Sequence, residues 1–235
     1  MQKSTVAEIR HRFDNDVERF SNLQTGQSAT IDAPLVLELI MQAATTNNPD
    51  ATASLDIGCG AGNYTLKLLQ AVPSLDVTLV DLSRPMLERA RERISQVNVG
   101  KITTHQADIR ELSLGECQFD IIMAAAVLHH LRGEAEWEAV FAKLYRALKP
   151  GGSLWISDMI YHSTPHIQAM MWARYGDYLT SLKDEAYRDH VFAYIEKEDT
   201  PRPLLFQIDL LRRVGFREVE ILHKNSNFAA FGGIK

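Results

Sequence analysis

Apolar and polar positions change their rhythm along the chain, and the changes mark its regions. Between residues 3 and 20 the apolar positions Val6, Ile9, Phe13, Val17 and Phe20 recur every three to four residues amid charge, which predicts a helix with one narrow apolar stripe. Residues 21–30 are polar with Gly26 and predict a loop; a second helix is expected after Asp32, with Leu35, Leu39, Ile40 and Ala43 on one face. From residue 53 onward short apolar runs alternate with helical periods. Strands are predicted over 53–57, 76–80, 101–105, 119–124 and 153–157. The run 119–124 is almost wholly apolar, as expected of a strand buried on both faces. Helices are predicted from Gly62, with Leu66 and Leu69 inward, and after Ser83, which can cap a helix whose first turn holds Pro85. The clearest helix covers 134–148, where Trp137, Val140, Phe141, Leu144 and Leu148 keep the 3.6-residue period. Lys149-Pro150-Gly151-Gly152 reads as the turn that stops it. The end of the chain predicts a helix over 204–214 closed by Gly215, then strands 218–222 and 227–233 joined by a turn at 223–226.

The stretch Asp56-Ile57-Gly58-Cys59-Gly60-Ala61-Gly62-Asn63 joins the first strand to its helix, and it carries the strongest chemical signal. Glycines there permit positive φ and let a ligand lie against bare backbone. A strand, a glycine turn and a helix form the first half of a nucleotide-binding unit. The dinucleotide fingerprint needs a glycine five positions after Gly58, where this chain has Asn63, and that argues against an NAD-dependent oxidoreductase. Asp56, two residues before the first glycine, would repel a pyrophosphate and attract an amino group. Asp81 ends the second strand 23 residues beyond Gly58, near the spacing of about 20 expected of a carboxylate that grips ribose hydroxyls.

With its Asp-x-Gly-x-Gly-x-Gly turn, Asp81, Asp108 after the third strand, the segment Ala125-Ala126-Val127-Leu128-His129-His130-Leu131 and the Leu-Lys-Pro-Gly-Gly turn, the chain resembles the class I S-adenosylmethionine (SAM)-dependent methyltransferases. That resemblance implies an α/β Rossmann-like seven-stranded sheet of order 3-2-1-4-5-7-6, with strand 7 antiparallel and helices on both faces. It implies a cofactor, SAM, converted to S-adenosylhomocysteine and held by Asp56, Gly58, Cys59, Gly60, Asn63, Asp81, Leu82, Met86, Asp108, Ile109, Ala125 and Leu128. It also implies an N-terminal helical arm or lid (1–32) on a catalytic domain (33–235), with an insertion at about 158–203 that builds the acceptor pocket. Trp172, Tyr175 and Tyr178 in that insertion share a helical face and are the candidate pocket wall, a packed face or a dimer contact being the competing readings.

Transfer of a sulfonium methyl is an in-line displacement that needs positioning above all, and a base only when the acceptor is a neutral hydroxyl or protonated amine. His129, at the mouth of the fourth strand, is the candidate base, with packing or loop orientation as the competing role. No metal is expected at His129–His130, because adjacent side chains diverge and no carboxylate stands at chelating spacing in the sequence. The expected reaction is methylation of a small-molecule acceptor. The alternative is a SAM-modifying enzyme like the carboxy-SAM synthases of tRNA wobble-uridine modification, which resemble this chain in layout. Those enzymes use an arginine in the insertion, where this chain has Arg188 in the corresponding region.

The net charge of −5 and the lack of a long basic run give no sign of strong nucleic-acid binding. No apolar run approaches the roughly 18 residues of a membrane span, and no signal-peptide core opens the chain. Cys59 and Cys117 stand at no metal-like spacing and suit a reducing cytoplasm. A homodimer is a further expectation, the aromatic face of the insertion being its candidate contact.

Overall fold

The computed structural model describes residues 3–97 and 100–235. The chain opens with an arm of three short helices, α1 (Val6–Asp14), α2 (Val17–Ser21) and α3 (Leu23–Gly26), and continues with α4 (Ala33–Asn47). The single helix expected over 3–20 is therefore broken at Asn15–Asp16, where the Asn15 side chain turns back to donate to the His11 carbonyl at 2.7 Å. Thr5 starts α1 with a reciprocal cap: Glu8 N donates to Thr5 Oγ1 and Thr5 N to Glu8 Oε2. In α4 the buried face is Val36, Leu37, Ile40, Met41 and Ala44, one position round from the expected stripe, and Leu35 is 47% exposed.

Strands and helices then alternate: β1 (Ala53–Ile57), α5 (Asn63–Leu69), β2 (Asp76–Asp81), α6 (Arg84–Ser95), β3 (Ile102–Gln106) and β4 (Phe119–Ala125). After a 3-10 turn at Leu128–His130 come α7 (Glu134–Ala147), β5 (Leu148–Met159), α8 (Pro165–Leu182), α9 (Glu185–Glu198), α10 (Leu204–Val214), β6 (Glu218–Asn225) and β7 (Phe228–Ile234). Seven strands among the described residues form one sheet of order β3-β2-β1-β4-β5-β7-β6. The strands β1 to β5 pair in parallel, and β7 runs antiparallel to both β5 and β6. This is the expected α/β, Rossmann-like architecture.

Successive residues of the central strands face opposite sides, and each side has its own helices. On one side Leu55, Ile122 and Leu154 pack with Trp137 and Phe141 of α7 and Leu211 of α10. On the other Leu79, Ile121 and Trp155 pack with Ile40 of α4, Leu68 of α5 and Ile94 of α6. Both faces of β4 are thus covered, which is why its sequence is a continuous apolar run. The α8–α9 insertion adds a third, smaller core around Met159, Tyr175, Leu179, Ile195 and Phe228.

Two predicted turns fall elsewhere. Lys149–Gly152 lies inside β5 as an irregularity: Phe119 pairs with Leu148 and Ile121 with Ser153, and Gly151 takes φ 78° to absorb the extra residues. The last hairpin pairs Asn225 with Phe228, so its turn is only Ser226-Asn227, with Ser226 at φ 47°. No helix among the described residues is long and apolar enough to cross a membrane.

Candidate cofactor site

Strand order reverses between β1 and β4, and the carboxyl ends of the strands flanking such a switch leave a crevice for a ligand. The glycine turn lies there. Gly58 and Cys59 donate their amides to the Val80 carbonyl at 2.8 and 3.1 Å, which folds the turn over the end of β2. Gly58 needs its lack of a side chain: φ is +64°, and a Cβ would come within 2.6 Å of Val127 Cγ2. Gly60 N then donates to Asp81 Oδ2 at 2.9 Å, and Ser83 N to Asp81 Oδ1 at 2.8 Å. Asp81 is thereby fixed by its neighbours' amides. Asp56 is buried beside it, accepting a 2.7 Å bond from Thr65 Oγ1.

Burial pushes the Asp56 carboxyl up to about 7, the Thr65 bonds opposing the rise and the charge of Asp81 adding to it. Burial likewise raises Asp81 to about 6 against the pull of the Ser83 and Gly60 amides, with Asp14 of the arm adding like charge. A hydroxyl or amino donor reaching either carboxyl would stabilise its charged form and lower its pKa again. Asp108 is different. Burial would raise it, but Arg110 grips it through Nε at 3.0 Å and Nη2 at 2.6 Å and holds it below the ordinary range.

These groups surround a cavity of about 310 Å³, at the lower end of the roughly 300–1,000 Å³ usual for ligand sites. Of the residues named from the sequence, Asp56, Gly58, Cys59, Gly60, Asn63, Asp81, Leu82, Met86, Asp108, Ile109 and Ala125 all line it. Leu128 does not; it is fully buried in the core beneath α7. Ala126, at φ +52°, and Val127 line the cavity in its place, because the chain turns sharply after β4 before the 3-10 helix begins.

The arm forms the opposite wall through Val6, Ile9, Phe13 and Phe20. It is tied at several points. Asn63 Nδ2 donates to the Phe20 carbonyl at 2.8 Å, so the residue that breaks the dinucleotide fingerprint joins arm to glycine turn. Arg12 makes a forked ion pair with Glu198, with Nη2 to Oε2 at 2.6 Å. Ser4 N donates to the Lys197 carbonyl at 3.0 Å.

The aromatic trio of the insertion lies outside the cavity lining. Tyr175 and Tyr178 instead donate to the carbonyls of Ala29 and Ser28 at 2.9 and 2.8 Å, holding the far end of the arm. Trp172 stacks on Phe192 with ring centres 4.4 Å apart. Arg188 pairs with Asp189 on the insertion's surface, also away from the cavity.

His129 faces inward, away from the cavity. Its Nδ1 contacts Asp158 Oδ1, while Asp158 Oδ2 accepts the Leu128 and His129 amides at 2.8 and 3.2 Å. Burial alone would lower its pKa, but Asp158 and Asp199 outweigh burial and raise it to about 9. A histidine that does not reach the cavity is poorly placed as a base. His130, with Leu131 and Arg132, lines the cavity instead. Adjacency to His129 was the only sequence signal for His130; Asp199, which stands beside both rings, had none.

A family profile described as a methyltransferase domain matches residues 55–152. The chain is 30% identical over 166 residues to a 2-phytyl-1,4-naphtoquinone methyltransferase of Nostoc punctiforme, covering 69% of this chain and 71% of that protein. It is 32% identical over 149 residues to a malonyl-[acyl-carrier protein] O-methyltransferase of Priestia megaterium, covering 63% of this chain but only half of the relative. A carboxy-S-adenosyl-L-methionine synthase of Campylobacter lari is 26% identical over 211 residues, with 85% and 84% of the two chains covered. Among solved structures, a Burkholderia thailandensis 1,6-didemethyltoxoflavin-N1-methyltransferase, with bound 1,6-didemethyltoxoflavin and S-adenosylhomocysteine, aligns over all of this chain and 92% of that one. Its TM-score is 0.65 at 17% identity, a likeness of fold.

Proposed function

The chain belongs to the class I SAM-dependent methyltransferases, and from that premise we propose that it methylates a small apolar acceptor in the cavity between the glycine turn and the arm. The observation that carries the reading is that cavity, in which Asp81, Asp56 and Asp108 meet bare backbone on one wall and apolar arm residues on the other. The ribose hydroxyls would donate to Asp81, whose two oxygens keep lone pairs beyond the Gly60 and Ser83 amides. Met86 and Ile109 would flank the adenine, and Asp108 would accept from its amino group. The methionine end would lie along Gly58–Gly60, its ammonium near the Asp56 carboxyl. This leaves the sulfonium methyl directed toward Ala125–Val127, His130 and the arm.

The acceptor would then lie against Val6, Ile9, Phe13 and Leu131, which favours an apolar or flat molecule. The arm, not the insertion aromatics, would supply this wall. A 310 Å³ space is small for cofactor and acceptor together, so the arm would open to admit them and close to exclude water. Catalysis would rest on alignment of the two reactants at about 3–3.5 Å, which can supply several kcal/mol of the barrier.

The carboxy-SAM reading draws support from the coverage of those relatives, but Arg188 lies outside the cavity, and the arginines that line it are engaged. Arg110 is held by Asp108, and Arg132 donates to the Glu198 carbonyl and to Thr200 Oγ1. The test is methyl-labelled SAM incubated with the enzyme and a small-molecule extract, with mass spectrometry of the ligand that copurifies. Label in an organic product supports the proposal. A copurified SAM derivative bearing an extra carboxylate, with no labelled product, would replace it.

A further inference from the structure

We propose that His129, His130 and Asp199 form a binding site for a divalent transition metal in the wall of the cofactor cavity. The two rings do not diverge: their centres stand 4.4 Å apart at 62°, because the 3-10 turn swings consecutive side chains toward the same region. Asp199, at the end of α9, brings a carboxylate between them. Its Oδ1 lies 3.6 Å from His129 Nε2 and 3.3 Å from His130 Nδ1. Ligand atoms around a four-coordinate zinc at about 2.0–2.2 Å stand roughly 3.3–3.6 Å apart by the tetrahedral angle.

The second observation is what these atoms leave unused. The Asp199 side chain is 1% exposed, and among the described residues neither of its oxygens nor either nitrogen of His130 makes a well-directed hydrogen bond, the 3.3 Å approach of His130 Nδ1 to Oδ1 included. Buried polar atoms are ordinarily satisfied, so a carboxylate facing two imidazoles needs positive charge there, supplied either by a protonated ring or by a metal ion. His129 completes the pattern. With Nε2 toward Asp199, its other nitrogen contacts Asp158, the carboxylate–histidine arrangement that fixes the ring of a metal ligand. Arg12 and Arg132 lie in the same region and oppose a further cation, but Arg12 is paired with Glu198, and Asp158, Asp199 and Glu198 supply three carboxylates.

Two imidazoles and one carboxylate suit zinc, cobalt, iron or nickel in preference to magnesium or calcium. Three protein ligands leave a fourth position for water or for a heteroatom of the acceptor. His130, which lines the cavity, puts the site within reach of a bound acceptor. The site stands independently of the acceptor reading; only its use in methyl transfer rests on that reading.

The test is titration of chelator-stripped full-length protein with Co(II), followed by visible absorption, and with Zn(II), followed by calorimetry. One equivalent should bind and give the intense bands of low-coordinate cobalt. His130→Ala should abolish the bands, and Asp199→Asn should weaken binding at least tenfold. Asp158→Asn, which keeps an oxygen for the Leu128 and His129 amides but weakens the support of the His129 ring, should weaken binding about 10–100-fold. S-adenosylhomocysteine calorimetry on each variant shows whether the cavity still folds, and it separates loss of the metal site from loss of the cofactor site. Absence of saturable binding to the wild-type protein would overturn the proposal. So would Co(II) binding unchanged in His130→Ala, since the metal would then sit elsewhere.

Discussion

At the scale of single residues, the cofactor wall trades stability for readiness. Asp56 is buried with one hydroxyl donor, and its folded pKa of about 7 exceeds that of an unfolded aspartate. A raised folded value means the native state holds its proton longer than the unfolded chain does. The associated stability is complete below about pH 4, the unfolded aspartate value, and is lost as pH rises through about 7. Asp56→Asn keeps an acceptor for Thr65 and removes the buried charge. Chemical denaturation of the unliganded variant should show a gain of roughly 1–3 kcal/mol over wild type at pH 8, shrinking toward zero at pH 4. SAM should bind that variant more weakly, because the carboxylate facing its ammonium is gone. Equal stability of the two proteins at pH 8 would show that Asp56 is not strained. Gly58→Ala tests the turn itself, since a methyl there meets Val127 at 2.6 Å with φ at +64°. Thermal melting should fall in Gly58→Ala and S-adenosylhomocysteine binding should be lost, whereas unchanged affinity would mean the ligand does not lie along the turn.

At the scale of elements, the arm is the part whose helical structure differs most from what its sequence announces. Its stripe reads as one amphipathic helix, but Asn15 breaks it, and the apolar residues on both sides of the break, Ile9, Phe13 and Phe20, turn to one cavity. The insertion secures it. Tyr175 and Tyr178 donate to backbone carbonyls of the arm across about 150 residues of sequence. Each such bond contributes about 1 kcal/mol net. The double variant Tyr175→Phe, Tyr178→Phe should therefore release S-adenosylhomocysteine several-fold faster in stopped flow while the sheet domain melts near its normal temperature. An unchanged off-rate would mean that the arm does not gate the ligand. The strands and the glycine turn were legible because their signals are local: a five-residue apolar run, glycines at alternate positions, an acid at a fixed offset. The tyrosines were not, because a face of aromatics three apart describes a helix side without saying what it meets. The same limit explains His129 and His130. Which of two adjacent side chains reaches the cavity depends on the 3-10 turn after β4, and what holds the other depends on Asp158 and on Asp199, 70 positions away.

At the scale of the whole molecule, the sheet sets the chemistry by where its order reverses. β1 and β2 deliver the glycine turn and Asp81, β4 delivers Ala125–Val127, and the arm folds back over all of them. The alternating pattern marked the strands and helices, and the sheet order with its antiparallel last strand is the one the family resemblance implies. Lys149–Gly152 shows where such reading stops: good turn residues also serve as an irregularity inside a strand, and only the pairing of Phe119 with Leu148 distinguishes the two. If this cavity is the SAM site, Asp81 is the anchor of the nucleoside. Isothermal titration of S-adenosylhomocysteine into the wild-type enzyme and into Asp81→Ala tests it most directly. Binding to the wild type should be saturable, and the variant should lose roughly 1.5–3 kcal/mol, the scale of a hydrogen bond to a charged group. Equal affinities in the two folded proteins would contradict it.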